Sequence, residues 1–308
     1  MCGINGIVSF GGARPVDVDE LTRTREAMHS RGPDAAGIWL SPDYRAGFGH
    51  RRLSIIDVSD RANQPMVSRE GDMVLTFNGE IYNFKELREE LGRDGETFAT
   101  TSDTEVVLRM YRKFGDAMLP RLRGMFAFSI WDARTNTLFL ARDPYGIKPL
   151  YYANDGATFR FASQVKAILA GGGVSATRDP AGIVGFLLRG HVPEPFTMYE
   201  AIRQLPAGCS MVVTGDRVSE PRPYFSIATV LRDAVNEHHH YSNEERAAII
   251  ADGVRESVRY HLVSDVPVGA FLSSGRDSST IVALASETNT SLQTVTLRFR
   301  VYSSHAQD

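Results

Sequence analysis

The chain begins Met1-Cys2, and a short apolar run follows the cysteine directly. The run Gly3-Ile4-Asn5-Gly6-Ile7-Val8 predicts a buried strand that begins at the terminus itself. Because Cys2 has a small side chain, we expect Met1 to be removed, which leaves a free α-amino group beside the thiol. An α-amine has a pKa near ~8, so it can accept the thiol proton at neutral pH. A fold built around this terminus would have a nucleophile and its base in one residue.

Cys2 alone does not establish a catalytic site, because a single cysteine near a terminus is more often a small, inert side chain. Hydrolysis of a carboxamide such as glutamine also needs donors for an oxyanion, a clamp for the substrate carboxylate and an anion for its ammonium group. The chain has candidates for all three tasks. They are, in order, Asn78 with Gly79, Arg52, and Glu80 with Asp103.

Each candidate also has an ordinary structural explanation. Asn78-Gly79 is a frequent turn pair, and we expect it to interrupt a strand at 73–77. Arg52 would also suit a surface position. Asp103 suits the first turn of a helix by charge alone, since Ser102-Asp103-Thr104-Glu105 has the spacing of a capping box.

Strand and helix patterns alternate up to about residue 215. They indicate a layered α/β or α+β domain over residues 1–215. The other predicted strands are 35–40, 46–56, 125–131, 137–141 and 159–162, and the predicted helices are 18–29, 84–91, 102–115 and 164–169.

Composition excludes several classes of protein. The chain of 308 residues is 43% hydrophobic and 23% charged, which is typical of a soluble globular protein. A net charge of −3 with mixed signs gives no basic surface for nucleic acid or an anionic membrane. The sequence contains neither a transmembrane run nor a signal peptide, so we expect a cytoplasmic location. Two cysteines, Cys2 and Cys209, cannot build a disulfide framework.

The pattern changes after residue 215. Glu220–Pro223 indicates a linker over 216–241, and we interpret its Glu237-His238-His239-His240 run as solvated rather than metal-binding. A second domain would begin at 242 and contain too few residues to close a sheet and cover both faces. Its predicted features are a capping box at Ser242–Glu245, an apolar stripe at Ile250, Val254, Val258 and Leu262, a buried strand at 266–272, a helix at 280–286 and a strand at 292–299.

Seven motifs occur in one order across residues 1–215. They are Cys2-Gly3-Ile4, His29–Asp34, Arg52–Asp57, Phe77–Asn83, Thr101–Glu105, Gly124–Phe128 and Ala141–Tyr151. Together they resemble the glutaminase domain of glutamine-dependent asparagine synthetases, a class II amidotransferase domain of the N-terminal nucleophile hydrolase type. The related β-lactam synthetases typically lack the terminal cysteine, so Cys2 argues against that branch.

The resemblance implies a fold and a set of roles. The fold would be α+β, a four-layer αββα sandwich. Cys2 would be the nucleophile, and Asn78 and Gly79 would form the oxyanion hole. The implied glutamine-binding residues are Arg52, Ile56, Asn78, Gly79, Glu80 and Asp103.

The segment from 242 onward resembles the start of an asparagine synthetase domain of the ATP pyrophosphatase type. There, a Ser-Gly-Gly-x-Asp-Ser loop holds the pyrophosphate of ATP at a helix N-terminus. In this chain Ser274 replaces one glycine of the loop, and Arg298 replaces a glycine of the next strand. A Cβ at 274 would obstruct a loop with positive φ and would be harmless at negative φ, and a serine-rich helix cap without a ligand is the alternative. The implied ATP-binding residues are Leu272, Ser273, Ser274, Gly275, Asp277, Ser278 and Leu297.

At family level the resemblance implies asparagine synthesis, in which ammonia released from glutamine at Cys2 is transferred to aspartate activated by ATP with Mg²⁺. The resemblance ends after Val301-Tyr302, so we expect a truncated second domain over 242–308. We therefore expect this chain to carry out only the glutaminase half of the reaction. Two alternatives stay open: a subunit that supplies ammonia to another acceptor, and a non-catalytic remnant. The sequence leaves open a homodimer, and whether the chain is a fragment or naturally short.

Overall fold

The computed structural model describes residues 1–11, 13–236 and 241–298. The contacts within the chain divide it into two units, Met1–Leu231 and Arg232–Asp308. None of the described helices has the length and apolar character that crossing a membrane requires. The histidine run at 238–240, which the sequence predicts to be solvated, lies outside the described residues.

In chain order, the strands are β1 (Gly3–Ser9), β2 (Ala35–Leu40), β3 (Ala46–Arg52), β4 (Met66–Val67), β5 (Met73–Ile81), β6 (Gly124–Asp132), β7 (Thr137–Arg142), β8 (Tyr151–Asn154), β9 (Thr158–Ala162), β10 (Arg203–Gln204), β11 (Cys209–Thr214), β12 (Arg217–Val218), β13 (Arg222–Pro223), β14 (Gly269–Phe271) and β15 (Gln293–Val295).

In the same order, the helices are α1 (Val18–Glu26), α2 (Phe84–Arg93), α3 (Asp103–Phe114), α4 (Val165–Gly171), α5 (Pro180–Arg189), α6 (Ile227–Asn236), α7 (Asn243–His261) and α8 (Arg276–Thr288). Short 3₁₀ turns occur at His29–Arg31, Asp60–Ala62 and Gly115–Arg121.

Two sheets form the first unit. Sheet A has the order β10-β8-β9-β1-β3-β2, and sheet B has the order β12-β11-β7-β6-β5-β4 with β13 paired to β11. Neighbouring strands in both sheets run antiparallel. The terminal strand β1 lies inside sheet A between β3 and β9. Cys2 is therefore fixed at the end of an interior strand, as the apolar run after it predicts.

The inner faces of the two sheets pack against each other. One buried cluster contains Ile4, Phe48 and Phe161 from sheet A together with Leu140 and Met211 from sheet B. α1 and α4 pack on the outer face of sheet A, and α3 packs on sheet B beside α2. The layers thus follow the order αββα, and the α+β fold expected from the resemblance is confirmed.

The predicted turn at Asn78-Gly79 is wrong. β5 pairs with β6 without interruption from Met73 opposite Asp132 to Ile81 opposite Gly124. Asn78 and Gly79 lack the positive φ angles that a two-residue type I′ turn requires. Glycine is needed at position 79 for close approach, because a Cβ there would lie 2.3 Å from the carbonyl oxygen of Met125.

The capping box predicted at Ser102–Glu105 is also wrong, although the helix begins where expected. Ser102 Oγ accepts a hydrogen bond from Thr104 N at 3.0 Å. The Glu105 carboxylate does not return to Ser102 and accepts instead from Ala99 N and Thr100 N at 2.9 and 2.7 Å. The preceding loop bends back over α3, which offers Glu105 these nearer donors.

Within the predicted linker 216–241, the described residues 216–236 form regular structure rather than a plain connection. β12 and β13 pair with β11 at the edge of sheet B, and α6 follows them. Sequence periodicity alone also misses β8 and α5. β8 has only four residues, and α5 carries apolar residues on several sides, so neither shows a clear period.

In the second unit, the capping box at Ser242–Glu245 is present in full. β14 and β15 pair in parallel, and α8 follows β14. The predicted buried strand at 266–272 is shorter than expected, and its Phe271 side chain is 80% exposed. The predicted stripe is likewise exposed at Ile250 and Val254. Parallel strands are usually covered on both faces, and this pair has only part of that cover.

Candidate active site

Cys2 directly precedes β1, and its thiol lies against the end of β3. Leu53 N donates to Cys2 Sγ at 3.4 Å, and Sγ lies 3.5 Å from Leu53 O. Arg31 Nε donates to the Cys2 carbonyl at 2.9 Å, which fixes the backbone on the other side. Burial raises the pKa of the Cys2 thiol, while Leu53 N–H, the N-terminal charge and Arg52 act in the opposite direction. A half-buried thiol whose pKa is raised needs a base to become a nucleophile.

Burial also lowers the pKa of the α-amino group at the terminus, and the positive charges of Lys148 and Arg31 act in the same direction. In the described chain this amine belongs to Met1, which lines the same cavity as Cys2. A lowered pKa leaves more of an amine unprotonated at neutral pH. The environment at this end of β1 therefore favours an amine that can accept a proton.

The outer edge of β5 presents a row of backbone N–H groups. Phe77 N donates to Gln64 Oε1 at 2.6 Å, and Ile81 N donates to Asp103 Oδ2 at 3.0 Å. N–H groups two residues apart point to the same side of a strand, so the Gly79 N–H lies on this edge between the two filled positions. The opposite residue fits this geometry, since Phe126 bonds away from β5 to Asp143.

Asn78 is 1% exposed, and neither its Oδ1 nor its Nδ2 has a hydrogen-bond partner among the described residues. Buried amides are normally paired, because an unmade hydrogen bond costs about 1–3 kcal/mol. The Asn78 amide and the Gly79 N–H line the cavity that contains Cys2. The cavity therefore holds two donors that the fold itself does not use.

Asp103 and Glu80 supply negative charge at the same edge. Asp103 is the first residue of α3, and its carboxylate is fully buried. Burial, together with the nearby Glu80 carboxylate, raises the pKa of Asp103 to about 7. The buried Asp103 carboxylate and the half-buried Glu80 carboxylate repel each other and together favour a bound cation.

Arg52, at the end of β3, is buried rather than at the surface. Its Nη1 donates to Ser59 O and Asn63 Oδ1, both at 2.8 Å, and its Nη2 donates to Asp57 O. These bonds use three of its five N–H groups and shape the loop after β3. The rest of the guanidinium lines the cavity, where it can bind a carboxylate.

Lys148 is a cavity residue that sequence reasoning missed. Its side chain is 4% exposed and lines the cavity with Cys2 and Glu80. Burial lowers the pKa of Lys148, while Glu80 and the Cys2 thiolate raise it. The buried Asp143 carboxylate accepts from Lys148 N at 2.9 Å and fixes the turn that carries it. The Ala141–Tyr151 motif was the available signal, because it contains both residues.

One cavity brings the predicted glutaminase residues together. Arg31 does not line this cavity, and its contact with Cys2 is the hydrogen bond to the backbone carbonyl. The predicted residues that line it are Cys2, Arg52, Ile56, Asn78, Gly79, Glu80 and Asp103.

Comparison with known proteins identifies the family of the chain. Residues 1–225 match the family described as glutamine amidotransferase domain. The chain belongs to this family. Residues 250–308 match a second family, described as asparagine synthase.

Curated relatives of this amidotransferase are named asparagine synthetases. Asparagine synthetase [glutamine-hydrolyzing] 1 of Bacillus subtilis (strain 168) is 38% identical over 97% of this chain and 46% of its own length. Asparagine synthetase [glutamine-hydrolyzing] 3 of the same organism is 35% identical over 92% of this chain and 45% of its own length. The chain thus spans about half the length of the curated relatives that it matches.

The glutamine phosphoribosylpyrophosphate amidotransferase from B. subtilis, solved with ADP and GMP, has a similar fold. The two structures superpose with a TM-score of 0.54 at 18% identity, covering 99% of this chain and 69% of the other. At this identity the likeness concerns the fold alone.

The predicted ATP-binding residues of this amidotransferase lie in the second unit. Six of them follow β14 along the chain, and Leu297 follows β15. Because β14 and β15 are parallel neighbours, all of these residues come after the carboxyl end of one of the two strands. Just beyond the strands, Leu272 N donates to Val295 O at 3.0 Å. Ser278 Oγ closes the loop by contacting Ser273 Oγ at 2.9 Å, and α8 begins at Arg276. Ser274 has no positive φ, so its Cβ does not strain the loop.

Proposed function

We propose that the first unit hydrolyses L-glutamine to L-glutamate and ammonia, with Cys2 as nucleophile after removal of Met1. The observation that supports this most is the shared cavity of a half-buried thiol and two unused donors, Asn78 Nδ2 and Gly79 N–H. Acyl transfer requires a nucleophile beside donors that are not engaged in the ground state, because they must be available for the oxyanion.

In the first half of the reaction, the free α-amine accepts the Cys2 thiol proton and the sulfur attacks the carboxamide carbon. The carbonyl oxygen becomes an oxyanion, which Asn78 Nδ2 and Gly79 N–H stabilise. The ammonium then returns the proton to the nitrogen, the C–N bond breaks and ammonia leaves. In the second half, the amine deprotonates a water molecule that attacks the thioester, which releases glutamate and restores the thiol.

The ends of the substrate would be held by opposite charges. Arg52 would bind the α-carboxylate through its remaining N–H groups, and Glu80 with Asp103 would bind the α-ammonium. The apolar Ile56 would pack against the methylene groups between them. This arrangement suits an amino acid with a side-chain amide and disfavours a simple amide, which has neither charged end.

We further propose that the ammonia serves glutamine-dependent asparagine synthesis, in which aspartate is activated by ATP. The names of the relatives and the match of residues 250–308 support this acceptor. For ATP as substrate, the donors would be the backbone N–H groups at the start of α8, with Ser273 and Ser278 hydroxyls beside them. Asp277, in the first turn, is an oxygen ligand of the type that Mg²⁺ prefers. The cytoplasmic location remains part of this proposal.

The glutaminase proposal is tested by glutamate release from glutamine. Cys2→Ala should lose activity to the assay limit and keep glutamine binding. Cys209→Ala is the matched control, because Cys209 is a buried free cysteine on β11, outside the cavity. Intact mass should show that Met1 is absent. Wild-type turnover by Cys2→Ala would refute the nucleophile.

The acceptor is tested separately. The protein is supplied with glutamine, aspartate, ATP and Mg²⁺, and both glutamate and asparagine are measured. Asparagine formation supports the synthetase proposal. Glutamate release without asparagine limits the chain to glutamine hydrolysis under these conditions.

A further inference from the structure

Phe77 precedes Asn78 on β5 of sheet B. Two side chains that do not belong to sheet B bind the backbone N–H and the carbonyl group of Phe77. Its N–H donates to Gln64 Oε1 at 2.6 Å, and its carbonyl oxygen lies 3.1 Å from His50 Nε2. β4 pairs with β5 only at Val74 and Leu75, so no described strand covers this edge at Phe77. Gln64 and His50 therefore take the place of a neighbouring strand.

His50 makes this contact from sheet A, where it lies on β3. The Phe77 carbonyl can only accept, so Nε2 carries the hydrogen and the ring is the Nε2–H tautomer. Burial lowers the pKa of His50 to about 4, which keeps the ring neutral at physiological pH. Its Nδ1 has no partner among the described residues. The Nε2–H thus satisfies a carbonyl oxygen that an apolar side chain would leave unpaired, and the contact fixes the orientation of the Phe77–Asn78 peptide group.

Gln64 extends the contact to the other side of the cavity. Its Oε1 accepts from Phe77 N, and its Nε2 donates to Thr104 Oγ1 at 3.4 Å. Thr104 follows Asp103 at the start of α3. Gln64 thus links the strand that carries the oxyanion donors to the helix that carries the buried carboxylate.

We propose that His50 and Gln64 are positioning residues that hold the two peptide groups flanking Phe77, and thereby aim Asn78 Nδ2 and the Gly79 N–H at the oxyanion. The Phe77 carbonyl belongs to the rigid peptide plane that ends at Asn78 Cα, so a rotation of this plane moves the Asn78 side chain. This inference rests on the proposed glutaminase function. A displacement of about 1 Å in such a donor can reduce a rate by about 100-fold.

Three variants separate the contacts. His50→Leu removes the donor, His50→Gln keeps an N–H at similar reach, and Gln64→Met removes the acceptor at similar length. We expect kcat for glutamine hydrolysis to fall by about 10- to 100-fold in His50→Leu and Gln64→Met, with KM nearly unchanged. His50→Gln should recover most of the loss. Ser129→Ala is the control, because Ser129 is fully buried on β6 and bonds Thr76 Oγ1 at 2.7 Å, outside the cavity.

Inhibitor binding distinguishes positioning from general distortion. In the γ-aldehyde analogue of glutamine, the Cys2 sulfur adds to the aldehyde carbon, the thiol proton passes to the former carbonyl oxygen, and that oxygen occupies the oxyanion position. In His50→Leu and Gln64→Met, the affinity for the aldehyde analogue should fall in parallel with kcat. The affinity for glutamate, which is held by its charged ends, should stay at the wild-type value.

Wild-type kcat in both variants would overturn the inference, as would equal losses of aldehyde and glutamate affinity. If His50→Leu does not fold, Gln64→Met decides by the same comparison. An inactive wild type refutes the proposed function and this inference with it. An active wild type with unaffected variants refutes this inference alone.

Discussion

Asp103 accepts a hydrogen bond from the backbone N–H of Ile81 at 3.0 Å, which places a fully buried carboxyl group at the end of the strand that carries Asn78 and Gly79. The bond fixes the start of α3 against the edge of β5. It leaves one backbone donor, the Gly79 N–H, between two filled positions. The substrate's ammonium group and the oxyanion would thus be held by one strand edge.

The raised pKa of Asp103 predicts a stability cost. The folded state binds this proton with a pKa of about 7 against an ordinary value of 3.8, so ionisation destabilises the fold as pH rises between about 4 and 7. Asp103→Asn should therefore raise Tm at pH 8 and have little effect near pH 4. A gain of ~1 kcal/mol corresponds to about 2–4 °C in a domain of this size.

Asp179→Asn is the control, because folding lowers the pKa of Asp179 and raises that of Asp103. Asp179 caps α5 and pairs with Arg203 at 2.7 Å, which lowers its pKa. The ionised Asp179 carboxylate stabilises the fold at pH values above its pKa in the unfolded chain. This stabilisation is lost as the pH falls through the lower pKa that Asp179 has in the folded protein. Asp179→Asn should lower Tm at pH 8. An Asp103→Asn variant that is less stable than wild type at pH 8 would contradict the assignment of a buried, unbalanced carboxylate.

Asn78→Ala should separate activity from stability. The substitution removes a proposed oxyanion donor, so we expect kcat to fall by about 100- to 1000-fold with little change in KM. The Asn78 amide has no partner among the described residues to leave behind, so the free energy of unfolding should not fall as it does for other buried polar residues. Chemical denaturation measures this.

Thr76→Val, on the same strand, is the comparison. It breaks the 2.7 Å bond to Ser129 Oγ and should destabilise the protein by about 1–3 kcal/mol. Wild-type kcat in Asn78→Ala would exclude the oxyanion role.

Arg52→Lys should weaken glutamine binding more than catalysis. A lysine keeps the charge but cannot reproduce the planar set of donors to Ser59, Asn63 and the substrate. Loss of a hydrogen bond to a charged group costs about 1.5–3 kcal/mol, so KM should rise about 10- to 100-fold. Arg109→Lys is the matched control, since Arg109 is equally buried but pairs with Glu70 away from the cavity. An unchanged KM would place the carboxylate clamp elsewhere.

Lys148→Met should make the Cys2 thiol harder to ionise. The buried ammonium shares the cavity with Cys2 and favours the thiolate. We expect the apparent pKa of Cys2, followed by alkylation rate against pH in a Cys209→Ala background, to rise by about one pH unit. Lys166→Met serves as control, because Lys166 lies on α4 outside the cavity. An alkylation profile identical to that of the parent would show that Lys148 does not act on the thiol.

Much of the site was predictable from the sequence because its residues lie in short motifs with separate chemical tasks. The family, the α+β class and the candidate set of Cys2, Arg52, Asn78, Gly79 and Asp103 follow from motif order. Local patterns failed where one residue pair fits two structures. Asn78-Gly79 is a common turn pair, and only its pairing with β6 shows that the chain stays extended there.

By itself, the sequence determined which chemical groups are available and that the first strand starts directly after Cys2. Only the tertiary structure decided how they are held. Lys148, His50 and Gln64 are distant from Cys2 and Asn78 along the chain, and no local periodicity connects them. They meet because sheets A and B pack face to face and bury this edge of β5. Burial then changes the chemistry, since it raises the pKa of Asp103, lowers that of His50 and leaves the Asn78 amide without a partner among the described residues.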